Sequence, residues 1–383
     1  MSNRDLQLAN LLLDYSVELR AGDRLLIQVD PAYASFAHLI GSLAIIRGAT
    51  VRYDLATWDP IILRNFISNP QPDQWQAELN RRNELAAWCT ARILVDAESN
   101  PDYAKGIPNK DEIISRFDRD VVGHYKRILY RQGPSGHTEV RWNIVGYPCA
   151  EGAKAANMSE PEYADFVYGA MLDNDWVKVS KEMETQKRRM DFAKEVHIVV
   201  PGLTDLHLSL RDRASEICGG KCNMPDGEFF YGPVEDSLNG YIYFNHPTQR
   251  PGSDVIRGIR LEFKDGLIVK NSAETNADQL EAFLNTDAGA RRVGELGIGT
   301  NYGIKRAILS TLFDEKIGGS IHLAIGDSLN QGELTNGGGL NKSGIHWDIV
   351  CDLRPNPNDL AHFPGGTITV DGKLVQKDGQ WVH

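Results

Sequence analysis

Arg24-Leu25-Leu26-Ile27-Gln28-Val29 is a compact apolar run, and the succession of elements that it begins decides the fold. The run reads as a buried strand. Pro31 then opens a segment with apolar residues at Phe36, Leu39, Ile40 and Leu43, the spacing of one helix face, which Gly48 closes. Thr50-Val51-Arg52-Tyr53 comes next as a second strand. Strand, helix, strand in that order is the unit of a parallel sheet covered by helices, and Ile93-Leu94-Val95 adds a further strand. Upstream, Leu6 to Leu19 has the spacing of an amphipathic helix.

Further along, Ser159 with Glu162 three residues on resembles a capping box, and helical spacing at Phe166, Val167 and Met171 predicts a long helix reaching about Met190. Beyond it the texture becomes short β-rich segments such as Val196 to Val200 and Val255 to Phe263. Asn239-Gly240 and Asp265-Gly266 are tight-turn signals among them, and Thr367 to Val375 alternates around Asp371-Gly372. The expected fold class is therefore α/β. An N-terminal α/β domain with a mostly parallel sheet spans 1–190, and a β-rich α+β domain spans 191–383. Gly337-Gly338-Gly339 lies in a stretch short of apolar residues and predicts a mobile surface loop. Neither a Walker Lys-Ser/Thr pair nor a GxGxxG after Val29 supports phosphate binding.

Composition narrows the function. Of 383 residues, 42% are apolar and 24% charged, ordinary for a globular protein of two or more domains. Lys and Arg total 41 against 52 Asp and Glu, a net charge of −11, which disfavours nucleic acid or an anionic membrane as partner. Asp5, Asp14, Glu18 and Arg20 interrupt the apolar positions of the N-terminus, so no signal-peptide core forms there. The most apolar run, Phe36 to Ile46, falls short of the roughly 20 residues that span a bilayer. A cytoplasmic protein is expected. Five scattered cysteines (Cys89, Cys149, Cys218, Cys222, Cys351) include no CxxC pair, so a metal would have to rest on oxygen and imidazole ligands.

The stretch Phe313 to Leu353 is richest in such groups. Ser320-Ile321-His322-Leu323-Ala324-Ile325 sets a histidine at strand spacing, and Ile345-His346-Trp347-Asp348-Ile349 sets another with an aspartate two positions on. Residues i and i+2 of a strand share a face, so His346 and Asp348 project together. With His322 they make two imidazoles and a carboxylate, a set that suits zinc hydrolases and non-haem iron alike. His197 and His207 are rivals, each at strand spacing with Glu195 or Asp205 two residues before it. His38 sits on a helix pattern, and His124, His137, His246, His362 and His383 are in loop-like or charged surroundings.

The sequence resembles the M29 family of metallo-aminopeptidases along nearly its whole length. Asn223-Met224-Pro225-Asp226-Gly227-Glu228 is similar to a family segment whose last glutamate binds metal, and Gly294-Glu295-Leu296 to the next motif. Thr311 to Glu315 leading to His322-Leu323-Ala324-Ile325-Gly326 resembles the third motif, and His346-Trp347-Asp348 the fourth. The resemblance implies a dinuclear site of Glu228, Glu295, His322, His346 and Asp348, with Glu228 or Glu295 as the catalytic carboxylate. It implies two divalent ions (zinc, cobalt, manganese or magnesium), small peptide substrates, a homodimer and removal of N-terminal residues by a metal-activated water. His197 and His207 match none of the motifs. The family's tyrosine, seven residues after the third-motif histidine, is replaced by Leu329, which neither ligates nor donates; Asp327 and Tyr302 are the nearby alternatives. Two other readings remain: a related ring-cleaving dioxygenase of the dihydroxypyridine type, holding a single iron on His322, His346 and Asp348, and an amidohydrolase with an altered substrate.

Overall fold

The structure is a computed structural model that describes every residue except 1, 98, 101, 132–138, 251–252, 329–335 and 383; the side chains of residues 111, 115, 118 and 336 also fall outside it. The chain divides into two compact units, Met1–Asp173 with Gly220–Pro225, and Asn174–Gly219 with Asp226–His383. This division differs from one at residue 190. The helical stretch expected to run on to Met190 breaks into Glu160–Leu172 and Trp176–Lys187, and the second of these helices belongs to the second unit. The break has a local cause: the Asp175 side chain accepts from the Lys178 amide and so starts a new helix. The Ser159–Glu162 capping box is present.

The first unit holds a five-stranded sheet in the order Thr50–Asp54, Arg24–Gln28, Ala91–Asp96, Arg141–Gly146, Asn223–Met224, every pairing parallel. Arg24–Gln28, Thr50–Asp54, Ala91–Asp96 and the Ala34–Ile46 helix fall where the periodicity places them, whereas Arg141–Gly146 and Asn223–Met224 join the sheet without having been expected as strands. The first helix, Asn3–Leu11, continues as a wider π-helical turn over Leu12–Ser16.

The second unit carries two antiparallel sheets. One has eight strands in the order Leu267–Ser272, Ile259–Lys264, Asn239–Phe244, Thr204–Leu208, Val196–Val200, Thr367–Val370, Lys373–Lys377, Gln380–Trp381. The other has five, ordered His346–Asp352, Ser320–Gly326, Val293–Gly299, Glu228–Tyr231, Glu216–Cys218. Val293–Gly299 and Ser320–Gly326 are buried along their whole length, so both of their faces are covered. One face is apolar: Phe229, Leu296, Ile298, Ile321, Leu323, Ile325, Ile349 and Cys351 join the core of this unit. The alternate residues face the other way, and there the polar groups collect.

The triple glycine is not the exposed loop expected of it. Gly337 and Gly339 are buried, and a Cβ on Gly337 would lie 2.8 Å from the Tyr231 Cα. With φ of 53° and no side chain, Gly337 lets this turn lie against the strand Glu228–Tyr231.

Candidate metal centre

Glu228, Glu295, His322, His346 and Asp348 come from four neighbouring strands and share the polar face of the five-stranded sheet. Register explains why they meet. Glu228 pairs with Gly299, His322 with Gly297, Glu295 with Ala324, and Ala324 in turn with Asp348. Small residues opposite the large ones leave the space the polar side chains fill. Gly297 is the tightest case, since a Cβ there would sit 1.9 Å from the His322 ring.

His322 stands at the middle of the group. Its Nε2 is 3.0 Å from Glu295 Oε1, 3.4 Å from Glu228 Oε2 and 4.0 Å from Asp348 Oδ1. His346 Nε2 is 3.3 Å from Asp348 Oδ1 and 4.0 Å from Glu295 Oε2. Each imidazole is held from behind. His322 Nδ1 donates to the Glu315 carbonyl at 3.1 Å and His346 Nδ1 to the Asp327 carbonyl at 2.7 Å. A backbone acceptor at Nδ1 leaves Nε2 as the free lone pair, the arrangement in which histidine binds metal.

The donor set fits a divalent cation. Glu228 Oε2 and Asp348 Oδ1 are buried and accept no well-formed hydrogen bond. Buried oxygens in that state are costly without a partner, and here they face imidazole nitrogens. Glu295, His322 and Asp348 each bring one ligand atom within 4.8 Å of the others, as do Glu228, Glu315 and His322.

Electrostatics without metal follow from the crowding. Burial by itself would lower the His322 pKa, but the Glu295 hydrogen bond and the charges of Glu228 and Asp348 outweigh it and push it up to about 9. His346 is pushed up to about 10 in the same way, against its burial, chiefly by Asp348. Burial would raise Asp348, yet the His346 and His322 charges hold it well below the usual carboxylate range.

Two residues of this group went unassigned in the sequence. Lys316 is wholly buried, its Nζ 2.8 Å from Glu228 Oε1 and in contact with the Glu315 carboxylate. Burial opposes its charge, but Glu228, Glu315 and Asp226 hold it protonated. By taking Oε1 of Glu228, Lys316 leaves Oε2 turned toward His322. Glu315, raised by its burial, also lines a cleft with Asp348, Pro247, Gln249, Leu309 and Thr311. Glu315 falls within the third motif but was given no role in the sequence, and Lys316 lies outside every motif segment.

The remaining expectations sort plainly. Leu329 lies outside the described residues, as do His137 and His383. Tyr302 gives its hydroxyl to the Gly379 carbonyl, and Asp327 meets the site through its backbone carbonyl. His246 pairs with Asp352 at 3.3 Å, and His362 with Asp359 at 2.6 Å. None of the five cysteines forms a disulfide; Cys218 is buried in a group with Asp226 and Glu228. His197 and His207 lie together on the eight-stranded sheet, apart from this group.

The sequence model described as thermophilic metalloprotease (M29) matches residues 2–381. The chain belongs to the M29 metalloprotease family. As an M29 member it is a peptide hydrolase of the metal-dependent kind. Similar proteins include aminopeptidase 2 of Geobacillus stearothermophilus, 34% identical over 97% of this chain and 94% of that one. Aminopeptidase PepS of Streptococcus thermophilus is 26% identical over 98% and 97% of the two chains. Among solved structures, wild-type AmpT from Thermus thermophilus superposes with a TM-score of 0.78 at 21% identity, covering 99% of each chain. The 2,5-dihydroxypyridine dioxygenase of Pseudomonas putida KT2440 gives 0.58 at 15% identity, covering 100% of this chain and 98% of that one. At those identities the two structures show a shared fold. No helix among the described residues of this M29 chain is long and apolar enough to cross a membrane.

Proposed function

We propose that this M29 protein is an aminopeptidase acting on short peptides, with two divalent ions held by Glu228, Glu295, His322, His346 and Asp348. The observation that supports this most is the convergence of Glu228 and Glu295 on His322, at 3.4 and 3.0 Å, beside the His346–Asp348 pair. A single-iron site of His322, His346 and Asp348 has no use for two further buried glutamates. When bound, such ions supply a water of lowered pKa and a polarised peptide carbonyl.

The protein's own groups do the rest. The Glu315 and Asp327 carbonyls fix both imidazoles, and Lys316 orients Glu228. A peptide enters by the cleft that Asp348 and Glu315 line, where acidic groups attract its free ammonium. Glu228 or Glu295 takes the proton from the attacking water, and Glu315 is a third carboxylate within reach of the same space. On the family resemblance we also propose a cytoplasmic homodimer.

The test is direct. Protein reconstituted with zinc, cobalt or manganese is expected to hold two ions per chain and to cleave aminoacyl anilides and dipeptides, to lose that activity to a chelator, and to ignore N-acetylated substrates. One iron per chain with ring-cleaving activity and no amide hydrolysis would replace this reading with the dioxygenase one. Hydrolysis of blocked amides alone would indicate an amidohydrolase.

Metal capture should depend steeply on pH. Both imidazoles are protonated below about 9 in the metal-free protein, so binding there displaces two protons from them. Each displaced proton is worth a factor of 10 per pH unit, so affinity for the metal pair rises by about 100-fold per unit from pH 6 to 8. Competition against a chelator of known pH dependence measures this; a flat profile would show that these histidines are not ligands.

A further inference from the structure

We propose that His197, His207 and Asp205, oriented by Glu195, form a second metal site that takes one zinc ion on the exposed face of the eight-stranded sheet. The five-residue cluster uses none of these groups, and His197 and His207 match none of the family motifs.

The site is built by register. Val196–Val200 and Thr204–Leu208 pair antiparallel with His197 directly opposite His207, and the two rings stack at 3.8 Å with 14° between their planes. Asp205, two residues before His207, shares its face. Its Oδ1 lies 2.8 Å from His197 Nε2 and 3.5 Å from His207 Nε2, so one carboxylate oxygen stands beside both ring nitrogens.

Glu195 decides what those nitrogens offer. Its Oε1 is 2.9 Å from His207 Nδ1, which donates its proton there. With Nδ1 so engaged, the ring presents Nε2 to the Asp205 carboxylate, where a divalent cation takes the place of a shared proton. A carboxylate behind a ligating histidine is the recurrent support of such sites. All three ligand atoms are within 4.8 Å of one another. Adjacent ligand atoms around tetrahedral zinc stand roughly 3.3 Å apart, close to the observed 2.8 and 3.5 Å, and ligation requires the two stacked rings to turn out of their parallel planes so that both lone pairs face the ion.

The donor set selects the metal class. Two imidazoles and one carboxylate suit zinc, whereas magnesium and calcium prefer oxygen alone. Side chains exposed by 32% (His197), 43% (His207) and 51% (Asp205) leave the fourth position to water. The ion is therefore exchangeable, unlike one buried in the five-residue cluster.

The experiment compares full-length protein with its His197→Ala/His207→Ala variant after equilibrium dialysis against buffered zinc and elemental counting. The wild type is expected to hold one zinc more per chain, with peptidase kcat the same in both. Glu195→Gln should weaken that extra ion by about tenfold without removing it. Equal zinc counts in the wild type and the double variant would overturn the proposal, as would an extra ion that survives in the variant. Both histidines are half-buried at the surface of the sheet, and the circular dichroism spectrum and thermal midpoint of the variant verify that it folds.

Discussion

Gly297→Ala is expected to cut kcat/KM by at least about 100-fold while leaving the sheet folded. Gly297 is paired with His322, and the added Cβ would come within 1.9 Å of the ring's Cε1 and 2.0 Å of Nε2. The imidazole cannot step aside cheaply. It is wholly buried, and its Nδ1 is tied to the Glu315 carbonyl at 3.1 Å. Moving the ring to ordinary contact distance takes Nε2 more than an ångström from Glu295 and Glu228. A displacement of that size in a reacting constellation costs on the order of 100-fold. The backbone at this position is ordinary extended strand, so alanine itself adds no strain there. Far-ultraviolet circular dichroism should be unchanged and metal content reduced. A variant within threefold of the wild type, carrying its full complement of metal, would show that His322 does not hold the metal.

Lys316→Met is expected to destabilise the metal-free protein by about 3–5 kcal/mol at pH 7. The ammonium lies between Glu228 and Glu315 with no exposed surface, and removing it leaves the buried Glu228 and the cleft-lining, partly buried Glu315 without their countercharge. The pH dependence gives the effect a signature. Burial already raises both carboxyls above their ordinary range, despite Lys316. Each folded-state carboxyl therefore keeps a proton at a pH where the unfolded chain has released it. Stability from that source is present below the unfolded pKa and lost as pH rises through the folded one. Without Lys316 the folded values climb further, so the penalty is larger at an alkaline pH value than at an acidic one. Urea unfolding at the two values measures it. A penalty independent of pH, or one below about 1 kcal/mol, would show that the pair is solvated rather than buried.

These residues also show what can be read in advance. The parallel sheet was legible because Arg24–Gln28, Ala34–Ile46 and Thr50–Asp54 carry local periodicity that needs no distant partner. His346 and Asp348 were placed on one face by strand spacing alone, and they lie 3.3 Å apart. Glu228 and Glu295 were another matter. Their meeting depends on pairing between strands far apart in sequence, which no local pattern encodes, so only the motif resemblance pointed to them. Lys316 was beyond reach of both routes, because a lysine between two acids in sequence is ordinarily in water. The buried Gly337 misled for the opposite reason: a glycine run lacks apolar side chains whether it is exposed or pressed against another backbone.

The five-stranded sheet has its strands side by side in the order in which they occur along the chain, from Glu216–Cys218 to His346–Asp352. A ribosome therefore releases them in the order in which they stand side by side in the sheet. Synthesis proceeds from the N-terminus at a rate of about 5–20 residues per second. Glu228, Glu295 and His322 leave the ribosome before His346 and Asp348 do. A nascent chain thus holds an incomplete ligand set, and the complete centre, with its choice of metal, belongs to the finished polypeptide.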